Sequence, residues 1–254
     1  MIFNINSGPV RKTPVLDSAY PKNVTVDVGA SATFKVVIAE DGKPAEYTYQ
    51  WYYDGNAVSG ATKSTYSRSA AKGSHTVYCM VTNKAGSVKS RTATVTADTQ
   101  WLYNAGTFSS AAGSLKQTGV QFSGNAGSCT LKQNASNVTI GTLANSGALV
   151  YFTKQIDLTN YSTLYFNGSV VDKENYGNNR CAIGVWKTIP TSSDTVDSTK
   201  ANAAAAITGF RANGTYQIDI SNCSGNHYVG IAVRGFGTAD MPYIVVTMNQ
   251  MYLK

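Results

Sequence analysis

Asp172 and Glu174 come closest in this sequence to a catalytic pair of carboxylates. Hydrolysis of a glycosidic bond needs two such groups about 5–10 Å apart across the scissile bond. Glu174 is the single Glu of residues 100–254, and both carboxylates belong to the polar stretch 172–180. That stretch reads as a solvated loop, not the wall of a cleft. His75 and His227 are far apart in the chain, so neither a nucleophile–base pair nor a zinc site is expected. Cys79, Cys129, Cys181 and Cys223 show no CxxC or zinc-like spacing. Their strand-like settings suit small buried residues in a chain folded where thiols stay reduced. A pairing among Cys129, Cys181 and Cys223 stays open. Asp172, Asp194 and Asp197 offer oxygen ligands but no calcium loop. No phosphate-cradling glycine motif follows a strand. The expectation is a non-enzyme without metal or cofactor.

Sugar binding is the better-supported chemistry. Aromatic rings pack on the apolar faces of sugars, while amides and guanidinium groups hydrogen-bond the hydroxyls. Trp101, Tyr176, Asn178, Asn179, Arg180 and Trp186 are the candidates. Alternation along 181–186 puts Cys181, Ile183 and Val185 on one face. Ala182, Gly184 and Trp186 fall on the other, with Trp186 expected on an open sheet surface.

Composition narrows the classes further. Charged residues make up only 14% of the 254, yet the net charge is +7. Eleven basic and seven acidic residues fall in 1–99, ten and seven in 100–254. Arg11-Lys12 is the only adjacent basic pair. A nucleic-acid site shows a basic cluster or stripe, and none is visible. No apolar run reaches the roughly 20 residues of a membrane helix, and the first residues do not read as a signal peptide. Few charges with many Thr, Val, Tyr, Asn and Gly indicate an all-β protein with neutral polar surfaces.

Residues 1–17 read as an arm. Ile2, Phe3 and Ile5 could add a strand to a partner, and Arg11 and Lys12 follow. From residue 18 to 97, short alternating segments recur every ~8–12 residues, the rhythm of a β-sandwich. Residues 97–100 form a short junction. Residues 100–254 hold nine strand candidates without a βαβ rhythm, which argues for a larger jelly-roll-like sandwich. The one helical hint is Ser198–Ala206, where four alanines adjoin.

Tyr49-Gln50-Trp51-Tyr52, Asp54-Gly55, Ser59-Gly60-Ala61-Thr62 and Tyr78-Cys79-Met80-Val81-Thr82-Asn83 occur in the order of a bacterial or bacteriophage immunoglobulin-like domain. Residues 18–97 resemble that family. The resemblance implies a buried Trp51 on the third strand and makes Cys79 the second cysteine of the family pair. Phe34 stands at the first position, so no inter-sheet disulfide is implied. Val77 occupies the position of the family's corner tyrosine. Residues 100–254 are similar to C-terminal β-sandwich modules of phage tail or virion proteins, and more loosely to carbohydrate-binding jelly rolls.

These features together lead to the expectation of a bacteriophage structural protein, located in the virion. The arm 1–17 would anchor it among other virion proteins as a homo-oligomer or in many copies. Its sandwiches would adhere to host-surface polysaccharide, without nucleic acid or membrane insertion. The alternative is a bacterial secreted or cell-surface carbohydrate-binding module.

Overall fold

The computed structural model describes residues 12–40, 46–121, 129–142, 146–172, 181–190, 203–208, 213–234 and 244–254. Every regular element among them is a strand. Contacts divide the chain into two units, Met1–Asp98 and Thr99–Lys254.

Unit 1 contains β1 (Val15–Leu16), β2 (Val24–Thr25), β3 (Ser31–Lys35), β4 (Ile38–Glu40) and β5 (Thr48–Tyr53). It continues with β6 (Asn56–Ala57), β7 (Thr65–Ser69), β8 (Gly73–Asn83), β9 (Gly86–Lys89) and β10 (Ala93–Ala97). One sheet runs β2-β10-β8-β5-β6, with β9 beside β8. Opposite it stand the pairs β3–β7 and β1–β4. Among the described residues of unit 1, only β2 and β10 pair in parallel. Alternation sends every second side chain inward: Ala32 and Phe34 from β3, Val77, Cys79 and Val81 from β8, Ala93, Val95 and Ala97 from β10. Trp51 is fully buried among them, its ring 6.4 Å from Phe34 and 5.7 Å from Tyr66. Its indole N–H donates to the Lys63 carbonyl at 2.9 Å. Each such side chain contributes roughly 1.5–3 kcal/mol by leaving water. Asp54 (φ 46°) and Gly55 (φ 80°) make the two-residue turn between β5 and β6, matching the twist of a hairpin.

Unit 2 begins with β11 (Gln100–Asn104), β12 (Thr107–Phe108), β13 (Leu115–Gln121), β14 (Cys129–Gln133), β15 (Val138–Thr142) and β16 (Ser146–Phe152). Then come β17 (Ile156–Asp157), β18 (Thr163–Asp172), β19 (Cys181–Trp186), β20 (Ala205–Thr208), β21 (Gly214–Asp219), β22 (Asn226–Arg234) and β23 (Ile244–Leu253). The ten-residue β23 organises the first sheet. One edge takes β11 along residues 250–253 and β15 along 244–248; the other takes β18, which in turn pairs β21. The second sheet runs β13-β16-β22-β19-β20. Leu164, Phe166, Val246, Met248, Met251 and Leu253 of the first sheet share one buried core with Val150, Ile183, Val185, Val229 and Ile231 of the second. The unit is therefore a β-sandwich.

Two local features depart from the sequence reading. Ala205 and Ala206, expected in a short helix, lie in β20 opposite Val185 and Gly184. Pairing with β19 overrides the weak helical preference of alanine. Residues 198–202 of that stretch lie outside the described residues. The strand β15, absent from the sequence reading, sits inside the first sheet between β14 and β23.

Candidate functional site

The outer face of the first sheet of unit 2 carries a row of aromatic rings on adjacent strands. Leu164 and Phe166 point into the core, so Tyr165 and Asn167 point out of it. Met251 and Leu253 point in, so Tyr252 points out. Trp101 faces Tyr252 on β11, and Tyr165 faces it on β18. The Trp101 and Tyr252 rings lie 4.7 Å apart, tilted by 56°. Tyr252 and Tyr165 also lie 4.7 Å apart, with their planes 4° from parallel. All three side chains are half-buried. Gln217 on β21 continues the row beside Tyr165 and is exposed.

One register step away runs a row of uncharged polar side chains: Asn104, Gln250, Asn167 and Thr215. The Gln250 amide donates to Asn104 Oδ1 at 2.9 Å, and the Asn167 amide donates to Thr215 Oγ1 at 2.9 Å. Asn249 donates to Asn167 Oδ1 at 3.2 Å. Their positions depend on a bulge between Asn167 and Gly168. A Cβ at Gly168 would stand 2.1 Å from the Thr247 carbonyl oxygen, so only glycine lets β18 approach β23 there.

The two rows suit hydroxyl-rich ligands. The stacked rings are held by each other and lose little freedom on binding. The carboxamides combine donors and acceptors on one group. Neither row carries a charge; Asp219 and Lys254 lie beyond the aromatic row toward one end of the strands.

Of the residues singled out from sequence, Trp101 stands in this row. Trp186 does not reach an open surface. Alternation does place it opposite Ile183 and Val185, but it is 3% exposed and packs with Leu149, Ala182, Ala232 and Ala203. The outer side of the second sheet is itself an apolar layer, which corrects the expectation of a free platform. Tyr176, Asn178, Asn179 and Arg180 lie outside the described residues, as do Glu174, Asp194 and Asp197 and, in the arm, Ile2, Phe3, Ile5 and Arg11. Lys12 is exposed, and its carbonyl accepts from the Asn83 amide at 2.8 Å. Sequence reasoning missed Tyr165 and Tyr252. The alternation Leu164-Tyr165-Phe166 and Met251-Tyr252-Leu253 already set both apart from the core.

A second aromatic stack lies on unit 1. Tyr52 and Tyr78 face each other across β5 and β8, 4.7 Å apart and 6° from parallel. The Lys89 ammonium covers the Tyr78 ring at 4.0 Å.

His75 Nδ1 meets Asp54 Oδ2 at 2.7 Å, and its ring packs on Tyr53. His227 is fully buried, and its Nδ1–H donates to the Gly225 carbonyl at 2.9 Å. Cys79, Cys129, Cys181 and Cys223 form no disulfide with one another. Burial pushes the Cys79 thiol up to about 12 and raises those of Cys129 and Cys223. Among the described residues no group of three His, Cys, Asp or Glu is placed to hold a metal ion.

No protein-family model matches this chain, and no curated protein matches it. Solved structures overlap it weakly. One, described as a carbohydrate-binding module of the β-sandwich superfamily, is 15% identical; the overlap covers 97% of this chain and all of that one, with a TM-score of 0.37. A low-affinity xylan-binding module from Roseburia intestinalis is 13% identical over 56% of this chain and 96% of its own, with a TM-score of 0.35. The secreted serine protease VesC of Vibrio cholerae is 9% identical over 94% of this chain and 51% of its own, also with a TM-score of 0.35. Overlaps at this level carry no argument about ligand or activity.

Proposed function

We propose that this chain is a non-catalytic polysaccharide-binding protein whose sugar-contacting surface is the outer face of β11, β23, β18 and β21. The observation that carries the reading is the row Trp101–Tyr252–Tyr165 beside the carboxamides of Asn104, Gln250 and Asn167. Rings supply rigid contact area, and the amides supply paired donors and acceptors for hydroxyls. With no charge in either row, a neutral polysaccharide is the favoured ligand. Of the two settings left open by the sequence, this surface speaks for the carbohydrate-binding module.

Unit 1 has an immunoglobulin-like strand order in this reading, with Trp51 over Phe34 and an unpaired Cys79. A place on a virus particle is retained as a proposal about location. Multicopy display there would turn weak sugar contacts into avidity, and detection of the protein in purified particles tests it.

Affinity electrophoresis through gels containing neutral polysaccharides tests the function. The intact protein is retarded by at least one of them, and Tyr165→Ala, still folded by circular dichroism, runs as in an empty gel. Equal retardation of the variant and the intact protein refutes the assignment.

A further inference from the structure

The strand β7 is an open sheet edge. It pairs only with β3 among the described residues. Ala70 N–H donates to the Ala30 carbonyl, and Val36 N–H donates to the Ser64 carbonyl. Backbone groups of successive residues in a strand point to opposite edges. The even-numbered positions 64 to 70 therefore bond toward β3. The N–H and C=O groups of Thr65, Ser67 and Ser69 point away from it, and no described backbone group pairs with them. Four of the five residues of β7 are exposed. The strand has no proline or bulge, and its one charge, Arg68, is engaged 3.7 Å over the Tyr53 ring. Such an edge is a template for another strand.

Beside the edge lies an open cavity of about 280 Å³, lined by Val58, Ala61, Lys63, Thr65, Tyr66 and Ser67 among others. It has room for an aromatic side chain. Tyr66 packs inward against Phe34 and Trp51, whereas Thr65, Ser67 and Ser69 form a hydroxyl-bearing outer face. A strand that fits must be apolar on one side and polar on the other.

The segment Phe3-Asn4-Ile5-Asn6 has that pattern. Phe3 and Ile5 share one face, Asn4 and Asn6 the other. We propose that the β7 edge receives this segment from a second copy of the chain as an added strand. Phe3 then enters the cavity beside Tyr66, and Asn4 and Asn6 lie alongside Thr65, Ser67 and Ser69. Backbone pairing supplies the affinity and the cavity the register.

The second copy, not the same chain, is the donor because of where the arm departs. Val36 N–H faces Ser64, but the carbonyl of the next residue, Val37, accepts from Asp17 N–H. The strand β1 thus lies on the opposite edge of β3 and β4 from β7. A chain's own arm would have to cross β1, β3 and β7 to reach the open edge, and chain connections avoid such crossings.

The test uses the full chain. In sedimentation velocity the native protein shifts from monomer toward dimer as its concentration rises. Deletion of residues 1–11 and Ser67→Pro, which removes an outward N–H, each abolish the shift. The deletion leaves β7 untouched, so it decides the matter if Ser67→Pro fails to fold. Mixing Asn4→Cys with Ser67→Cys, both carrying Cys129→Ser because Cys129 is only half-buried, yields a disulfide-linked heterodimer under mild oxidation; the native Cys79, Cys181 and Cys223 thiols are buried. Monomer at every concentration, or association unaltered by the deletion, overturns the proposal. So does a disulfide closing within single chains of an Asn4→Cys, Ser67→Cys double variant.

Discussion

Tyr252 lies face to face with Tyr165, ring centroids 4.7 Å apart and planes within 4°, although 86 residues separate them in the chain. Neither ring can turn without losing the other. Trp101 closes the far side of Tyr252. The stack is therefore a fixed ridge whose edges and hydroxyls face outward, and its neutral surroundings define what it can hold.

Removing a ring from the ridge separates contact from stability. Cross-strand aromatic pairs contribute about 0.5–1.5 kcal/mol beyond area burial. Tyr252→Ala, which removes the central ring and its buried area, lowers the denaturation free energy by more than that and abolishes polysaccharide retention. Tyr252→Phe keeps the stack and the stability but loses the phenolic hydroxyl, so retention falls only in part. Chemical denaturation alongside affinity electrophoresis reads both effects.

Trp186→Ala behaves differently. Trp186 is 3% exposed, packed against Leu149, Ala182 and Ala232. Deleting a buried tryptophan costs about 3–5 kcal/mol. A large drop in urea midpoint is expected, while the molecules that remain folded bind sugar as before. A stable variant with lost binding would return Trp186 to the ligand surface.

Cys79 makes unit 1 sensitive to alkali. Its thiol titrates near 12 in the fold, raised from 9.0 by burial. The folded state thus holds a proton that the unfolded state gives up first. Its contribution to stability is complete below about pH 9 and is lost as the pH rises toward 12. Cys79→Ala flattens the decline between those values in a pH series of denaturation curves. At pH 8, Cys79 reacts with a thiol reagent only as fast as unit 1 opens.

Asp54 contributes the complementary dependence on the acid side. The Thr76 backbone N–H, at 2.7 Å, holds its carboxyl below the usual range, with His75 assisting. The stabilisation is present above the ordinary carboxylate value and is lost as the pH falls through the lowered one. Asp54→Asn, which tolerates the positive φ of this turn, shows a shallower acid transition than the native protein. Asp54→Ala also strains the turn and is less stable at every pH.

Much of the fold was legible because alternation is local. The resemblance of residues 18–97 to an immunoglobulin-like domain implied Phe34, Trp51 and Cys79 as core, and they meet in one cluster. The face of Trp186 was equally readable from residues 181–186. Its burial was not, since that depends on Ala203 and on strands that pair from distant parts of the chain. The ridge was half legible for the same reason. Trp101 stood out by type, but only the register of β11, β18 and β23 brings Tyr165 and Tyr252 beside it. Strand β15 escaped notice because Val138 and Ile140 are its only large apolar residues, and pairing with β23 supplies the rest of its stability.

The most direct measurement of the central claim is aromatic carbon–proton NMR during titration with a soluble neutral oligosaccharide taken from whichever polysaccharide retards the protein. The account predicts that the Trp101, Tyr165 and Tyr252 signals shift together along one saturating curve while Trp51 and Trp186 stay still. Saturable shifts confined to Tyr52 and Tyr78, or to rings outside the ridge, would contradict it.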